Sequence, residues 1–210
     1  MKNKLIIFDF DGVLRDASYI HVYNTYIALI KYLGKDPNQF FTDMESFRIW
    51  YNVDWHKNEE KILGHVYTPD KSMNHIFHAN YDANAKLFPW VSETLEVLSK
   101  KYQLAIFSSS TRTSVKASLG ELSRYFSWIT GAEEVNKLKP DPEGVFLTLK
   151  ETGADVGDAL IIGDMNVDFF AGKKAGIKVG LVKWGLGEWE ELSILGADIL
   201  FEDPKELMEL

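Results

Sequence analysis

Four short apolar runs in this chain break off abruptly at small or charged residues. Leu5-Ile6-Ile7-Phe8 stops at Asp9, Leu104-Ala105-Ile106-Phe107 at Ser108, Ala159-Leu160-Ile161-Ile162 at Gly163-Asp164, and Val179-Gly180-Leu181-Val182 at Lys183. An uninterrupted apolar run of this length reads as a strand buried on both faces, and such strands belong to parallel sheets covered by helices. Helical stretches alternate with the runs. Ser92 to Lys101 carries Leu95, Val97 and Leu98 among polar residues, 142–151 starts at a proline, and 166–175 stops before Gly176. Asp198-Ile199-Leu200 and Pro204 to Leu210 read as a last short strand and helix. The alternation predicts an α/β fold with a doubly wound, Rossmann-like parallel sheet.

One interval departs from the alternation. Between Phe8 and Leu104 lie 95 residues, far more than a single crossover needs. The stretch 18–87 shows no strand pattern but has helical periodicity, as at Val22, Tyr26, Leu29 and Leu33. It reads as an inserted helical domain, with residues 1–17 and 88–210 forming the α/β core. A chain of 210 residues is long enough for one domain carrying such an insert.

Composition narrows the chemistry. The formal net charge is −8, which argues against nucleic acid or an acidic membrane as partner through bulk electrostatics. An anionic substrate would have to be held locally, by a metal and a few Lys or backbone N–H groups. The absence of cysteine excludes disulfides, thiolate catalysis and thiolate zinc sites, and fits a reducing cytoplasm. The Leu5–Phe8 run is too short for a membrane span or signal segment.

The strand ends supply the candidate site. In Asp9-Phe10-Asp11-Gly12, residues i and i+2 point the same way, so both carboxylates can face one site while Phe10 faces the core. A divalent cation would relieve their repulsion, and Gly12 permits a sharp turn that exposes N–H groups. A pair of turn-forming aspartates is the plainer alternative. Asp164 and Asp168 follow a second buried run, Asp164 on the loop and Asp168 in a helix's first turn. Oxygen-only acids suit Mg²⁺ better than zinc. Ser108-Ser109-Ser110-Thr111 reads either as a phosphate cradle or as a helix N-cap. Lys139, fixed before Pro140, either neutralises phosphate charge or is a solvated loop lysine.

Together these features resemble the haloacid dehalogenase superfamily. Asp9-x-Asp11-Gly12-Val13 matches its first motif, Ser108 its second, Lys139 in Lys-Pro-x-Pro its third, and Gly163-Asp164-x-x-x-Asp168 its fourth, in the family's order over residues 5 to about 185. The resemblance implies a Mg²⁺-dependent phosphatase of the phosphoglycolate phosphatase-like branch, acting on a small phosphorylated metabolite as a monomer or homodimer. It implies Asp9 as nucleophile and metal ligand, and Asp11 as general acid and base, with its carbonyl a second ligand. Asp164 would complete the metal site and Asp168 support it. Gly12, Ser108, Ser109 and Lys139 would hold the phosphoryl group, with Lys139 also orienting Asp9. Segment 18–87 stands where the superfamily carries its helical type 1 cap, which sets substrate access and specificity.

Other residues fit alternatives. His21 stands where mutase-like relatives place a substrate-facing histidine, which keeps a sugar phosphomutase of the β-phosphoglucomutase type as the second reading. The spacing of Gly163-Asp164-x-x-x-Asp168 speaks against it, since those mutases carry an adjacent Glu-Asp pair. Asp11 speaks against a dehalogenase. A phosphonate hydrolase would need a Schiff-base lysine, for which Lys31, Lys35 and Lys57 are the candidates. A non-catalytic partner-binding member should have lost one of the four motifs. Arg15 can meet a substrate carboxylate or form a hinge salt bridge. Phe47, Trp50, Tyr51 and Trp55 read as cap core rather than pocket lining. His56, His65, His75 and His78 lack a zinc pattern. Phe88-Pro89-Trp90 departs from the Pro-Gly common in relatives and puts a bulky Trp90 near the hinge or the site.

Overall fold

The computed structural model describes residues 4–52, 55–65 and 85–210, without the side chains of Trp55 and His56. The chain divides into two compact units: Met1–Ala17 with Lys86–Leu210, and Ser18–Ala85.

The first unit is built on six parallel strands: β1 (Leu5–Phe8), β2 (Gln103–Phe107), β3 (Phe126–Thr130), β4 (Ala159–Gly163), β5 (Lys178–Val182) and β6 (Ile199–Phe201). Their order is β3-β2-β1-β4-β5-β6, an α/β sheet as the buried runs predict. β1 sits inside it, with Phe8 opposite Ile106 on one side and Ile162 on the other. Successive side chains alternate faces. Ile6, Phe8 and Ile106 pack with Val91, Leu95 and Leu98 of helix Val91–Ser99, whereas Leu5, Ile7 and Phe107 pack with Val145 and Leu149 of helix Glu143–Thr152 and Phe169 of helix Asn166–Ala175. Each such large apolar side chain contributes roughly 1.5–3 kcal/mol by leaving water.

Strand β3 was not legible in the sequence, and helix Arg112–Leu119 was signalled only by its N-cap. Strand β3 lies at the sheet edge, where Ser127 is exposed, so no continuous apolar run marks it. Helix Arg112–Leu119 buries only Ser114, Val115 and Leu119, too few for a clear apolar stripe. The closing Pro204–Glu209 segment is a 3₁₀ helix rather than an α-helix.

The two ends of the interrupting segment meet on this unit. The Asp16 N–H donates to the Lys86 carbonyl at 2.7 Å and the Phe88 N–H to the Leu14 carbonyl at 3.0 Å, with Arg15 and Leu87 paired antiparallel between them. This short ladder draws Lys86 and Leu87 into the first unit.

The second unit contains helices Tyr19–Tyr32, Met44–Trp50 and Trp55–Leu63. The first buries Val22, Tyr26 and Leu29, the periodicity visible in the sequence. Phe47 is fully buried, with its ring 5.9 Å from Tyr26, 4.9 Å from Phe41 and 5.6 Å from Tyr51, so these aromatics form this unit's core. Asn58 ties it together, accepting from the Asn52 N–H at 2.7 Å and donating to the Tyr26 hydroxyl at 3.1 Å. Among the described residues, no helix is long and apolar enough to cross a membrane.

Candidate active site

The carboxyl ends of β1 and β4 bring three acids together. Carboxylate oxygens of Asp9, Asp164 and Asp168 lie within 4.8 Å of one another, and all three residues are buried. Lys139 comes from the loop before helix Glu143–Thr152 and joins them. Its ammonium donates to Asp9 Oδ1 at 2.8 Å and Asp168 Oδ1 at 2.7 Å, and its side chain is 2% exposed. It also lies 4.9 Å from the centre of the Phe107 ring. The solvated-lysine alternative is therefore excluded.

Each acid is positioned locally. The Asp9 N–H donates to the Ile162 carbonyl at 2.8 Å, continuing the β1–β4 ladder. Asp168 Oδ2 accepts from the Met165 N–H at 3.1 Å, a first-turn contact that fixes the carboxylate while Oδ1 faces Lys139. Asp164 Oδ2 accepts from the Leu186 N–H at 2.7 Å, and Asp164 Oδ1 is buried without a hydrogen-bond partner.

The backbone wraps closely around Asp164. A β-carbon on Gly12 would stand 2.0 Å from Asp164 Oδ2, one on Gly185 2.1 Å from its Cβ, and one on Gly187 2.3 Å from its carbonyl oxygen. Gly12 also has φ of +85°, a conformation that L side chains avoid. Gly12→Ala is accordingly expected to destabilise the fold by about 1–3 kcal/mol, read by chemical denaturation. An unchanged midpoint and slope would show that Asp164 yields freely.

Electrostatics set the character of this cluster. Burial is the main force pushing the Asp9 carboxyl up to about 7, with Asp168 adding to it and Lys139 opposing. Burial, and then Asp9 and Asp168, raise Asp164 well above the ordinary range. Burial works against the charge of Lys139, but Asp168 and Asp9 outweigh it and hold the ammonium protonated. Three acids share one lysine, and Asp164 Oδ1 is an oxygen left without a donor. A hard cation with oxygen ligands fits this donor set.

Asp11 stands apart from the three. Its Oδ1 accepts from Arg15 Nε at 2.6 Å and its Oδ2 from the Ser110 hydroxyl at 2.7 Å. Arg15 is fully buried and forms the salt bridge that the sequence allowed. Ser108 is buried at the end of β2, where its hydroxyl accepts from the Ser110 N–H at 3.0 Å, whereas Ser109 is exposed. The helix N-cap is Thr111, which accepts from the Ser114 N–H at 3.2 Å. Trp90 stacks on Phe88 and meets Trp184 edge-on, and Trp184 Nε1 donates to the Val13 carbonyl at 3.2 Å. This aromatic group anchors the loop that carries Leu186 to Asp164.

Sequence reasoning missed Ser110 as a partner of Asp11, and it missed the Gly185-Leu186-Gly187 turn. The only available signal for the turn was a glycine pair following an apolar run. His21 lies on helix Tyr19–Tyr32, where its carbonyl accepts from the Thr25 hydroxyl at 2.8 Å. Lys35 donates to the Ile62 carbonyl at 2.6 Å, while Lys31 and Lys57 are exposed. His65 is exposed, and His75 and His78 lie outside the described residues.

Comparison with known proteins gives the family. The family model described as haloacid dehalogenase-like hydrolase matches residues 6–182. The chain is 30% identical to pyrophosphatase PpaX of Bacillus velezensis over 98% of its own length and 94% of the relative's. It is 31% identical to phosphoglycolate phosphatase of Aquifex aeolicus over 99% and 96%. A solved haloacid dehalogenase-like family hydrolase from Streptococcus pneumoniae superposes with a TM-score of 0.75 at 24% identity, covering 99% of this chain and 98% of that one.

Proposed function

Because the chain belongs to the haloacid dehalogenase-like hydrolases, we propose that it is a Mg²⁺-dependent phosphatase that releases phosphate from a small phosphorylated metabolite through an aspartyl-phosphate on Asp9. The observation that carries this reading is the buried cluster in which Lys139 bridges Asp9 and Asp168 beside the unpartnered Asp164 Oδ1. Relatives named for pyrophosphate and phosphoglycolate support both compounds as first substrates to test.

In this reading a carboxylate oxygen of Asp9 attacks phosphorus as the bond to the leaving oxygen breaks. Asp11 gives that oxygen its proton, so the alcohol departs neutral. Asp11 then takes a proton from water, which attacks the aspartyl-phosphate, releasing inorganic phosphate and restoring Asp9. Lys139 orients Asp9 and offsets charge on the phosphoryl oxygens, and Ser108, Ser109 and the backbone at Gly12 hold them. Asp9, Asp164 and the Asp11 carbonyl would bind Mg²⁺, with Asp168 in support. When bound, the cation neutralises phosphate charge and polarises the phosphoryl group. The decisive assay measures phosphate release from p-nitrophenyl phosphate, phosphoglycolate, pyrophosphate, sugar phosphates and nucleotides with Mg²⁺ and with EDTA. Full activity in excess EDTA would remove the metal from the reading, and isomerisation of a sugar phosphate without phosphate release would favour a mutase.

Metal binding also has a signature in stability. The Asp9 carboxyl is raised from 3.8 to about 7 in the fold, so between these values the folded chain keeps a proton that the unfolded chain releases. This group's contribution to stability therefore declines as pH rises across that window, and the decline is complete above it. Bound Mg²⁺ would compete with that proton. Adding Mg²⁺ should raise the thermal midpoint more at pH 8 than at pH 6. An equal or larger rise at pH 6 would contradict cation binding at Asp9.

A further inference from the structure

Asp11 is held by a closed ring of side chains. Arg15 Nε donates to Asp11 Oδ1 at 2.6 Å, Arg15 Nη2 to the Ser110 hydroxyl at 3.3 Å, and that hydroxyl to Asp11 Oδ2 at 2.7 Å. The guanidinium is fixed in turn. Its Nη1 donates to the Ser118 hydroxyl at 2.9 Å, and its carbon lies 4.8 Å from the centre of the Phe10 ring. A planar guanidinium anchored on several sides is a rigid post.

The exposure of the pair separates positioning from simple cohesion. The Arg15 side chain is 0% exposed while that of Asp11 is 21% exposed. Arg15 lies only four residues beyond Asp11 on the same loop, so the pair by itself ties no distant segments together, and its carboxylate stays partly open two residues after buried Asp9. The ring also joins the loops after β1 and β2, so the orientation of Asp11 depends on both.

We propose that Arg15 and Ser110 are positioning residues for Asp11, fixing its carboxylate for proton transfer in both halves of the reaction; this rests on the acid–base role given to Asp11 above. Neither residue touches the reacting atoms. They act by limiting Asp11 to one arrangement, and a misplacement of about 1 Å can lower a rate by ~10²-fold.

Ser110→Ala is the test, because it removes one hydroxyl and leaves the buried charge of Arg15 paired. Rapid mixing with an alkyl phosphate and with p-nitrophenyl phosphate should show about a 10–10²-fold loss with the alkyl substrate. The loss with p-nitrophenyl phosphate should fall mainly on breakdown of the intermediate, giving a burst of p-nitrophenolate. In an Asp11→Asn background, Ser110→Ala should add nothing, since its effect passes through the carboxylate. Arg15→Lys, which keeps the charge but loses the fork, should show the same pattern if its melting curve remains cooperative. Equal losses for both substrates, or a loss that multiplies in the Asp11→Asn background, would overturn the positioning role while leaving an active phosphatase. A wild-type protein inactive toward both substrates would overturn the phosphatase reading itself, and the positioning role with it.

Discussion

Replacing Asp9 by asparagine is expected to abolish turnover, on the order of the ~10⁶-fold loss that removal of a nucleophile can produce, and to leave no aspartyl-phosphate detectable by intact mass. A neutral amide is a poor nucleophile toward phosphorus. It would also exchange the 2.8 Å ion pair with Lys139 for a much weaker contact, leaving the ammonium to Asp168 alone. The fold should survive, because asparagine preserves the shape and burial has already pushed the Asp9 carboxyl up to about 7. Mass measurement must exclude deamidation back to aspartate. A clean preparation retaining turnover within tenfold of wild type would show that another group attacks phosphorus.

The second large effect separates two chemical steps at Asp11. An alkyl alcohol is a poor leaving group and needs a proton as the bond breaks, whereas p-nitrophenolate can depart without one. Water attacking the aspartyl-phosphate needs a base whatever group left before it. Asp11→Asn should slow phosphoenzyme formation from an alkyl phosphate by ~10²–10⁴-fold, the range for general acid catalysis. With p-nitrophenyl phosphate, formation should survive better than breakdown, giving a burst and an accumulated phosphoenzyme visible by mass. Wild-type rates with both substrates and no burst would remove Asp11 from the mechanism.

The sheet was legible because most of its strands are buried on both faces, and a doubly buried strand leaves a continuous apolar run. Asp9 and Asp164 were legible because acids standing directly after such runs must emerge together at one edge of a parallel sheet, and Asp168 because it lies in the first turn of the helix that follows. Strand β3 fails this condition, with Ser127 exposed and only Ile129 and Thr130 of its five residues buried. The ring around Asp11 was hidden for a different reason. Arg15 and Ser110 are 95 positions apart, and neither is unusual where it stands. Their meeting depends on β1 lying beside β2, which the runs alone do not specify. The close approach of Gly185 and Gly187 to Asp164 likewise depends on where the loop after β5 folds back.

The ladder joining Leu14, Arg15 and Asp16 to Lys86, Leu87 and Phe88 bears on how such a chain can diversify. A segment whose two ends are already hydrogen-bonded side by side resembles a wide loop on a hairpin stem. Closing a flexible loop becomes harder only logarithmically with length, by about 0.6 kcal/mol per doubling. The sheet thus presents a splice point where one segment can be exchanged for another of different length or fold at little thermodynamic penalty. Recombination or duplication at Ala17 and Lys86 would exchange the second unit while leaving the six strands of the first in place.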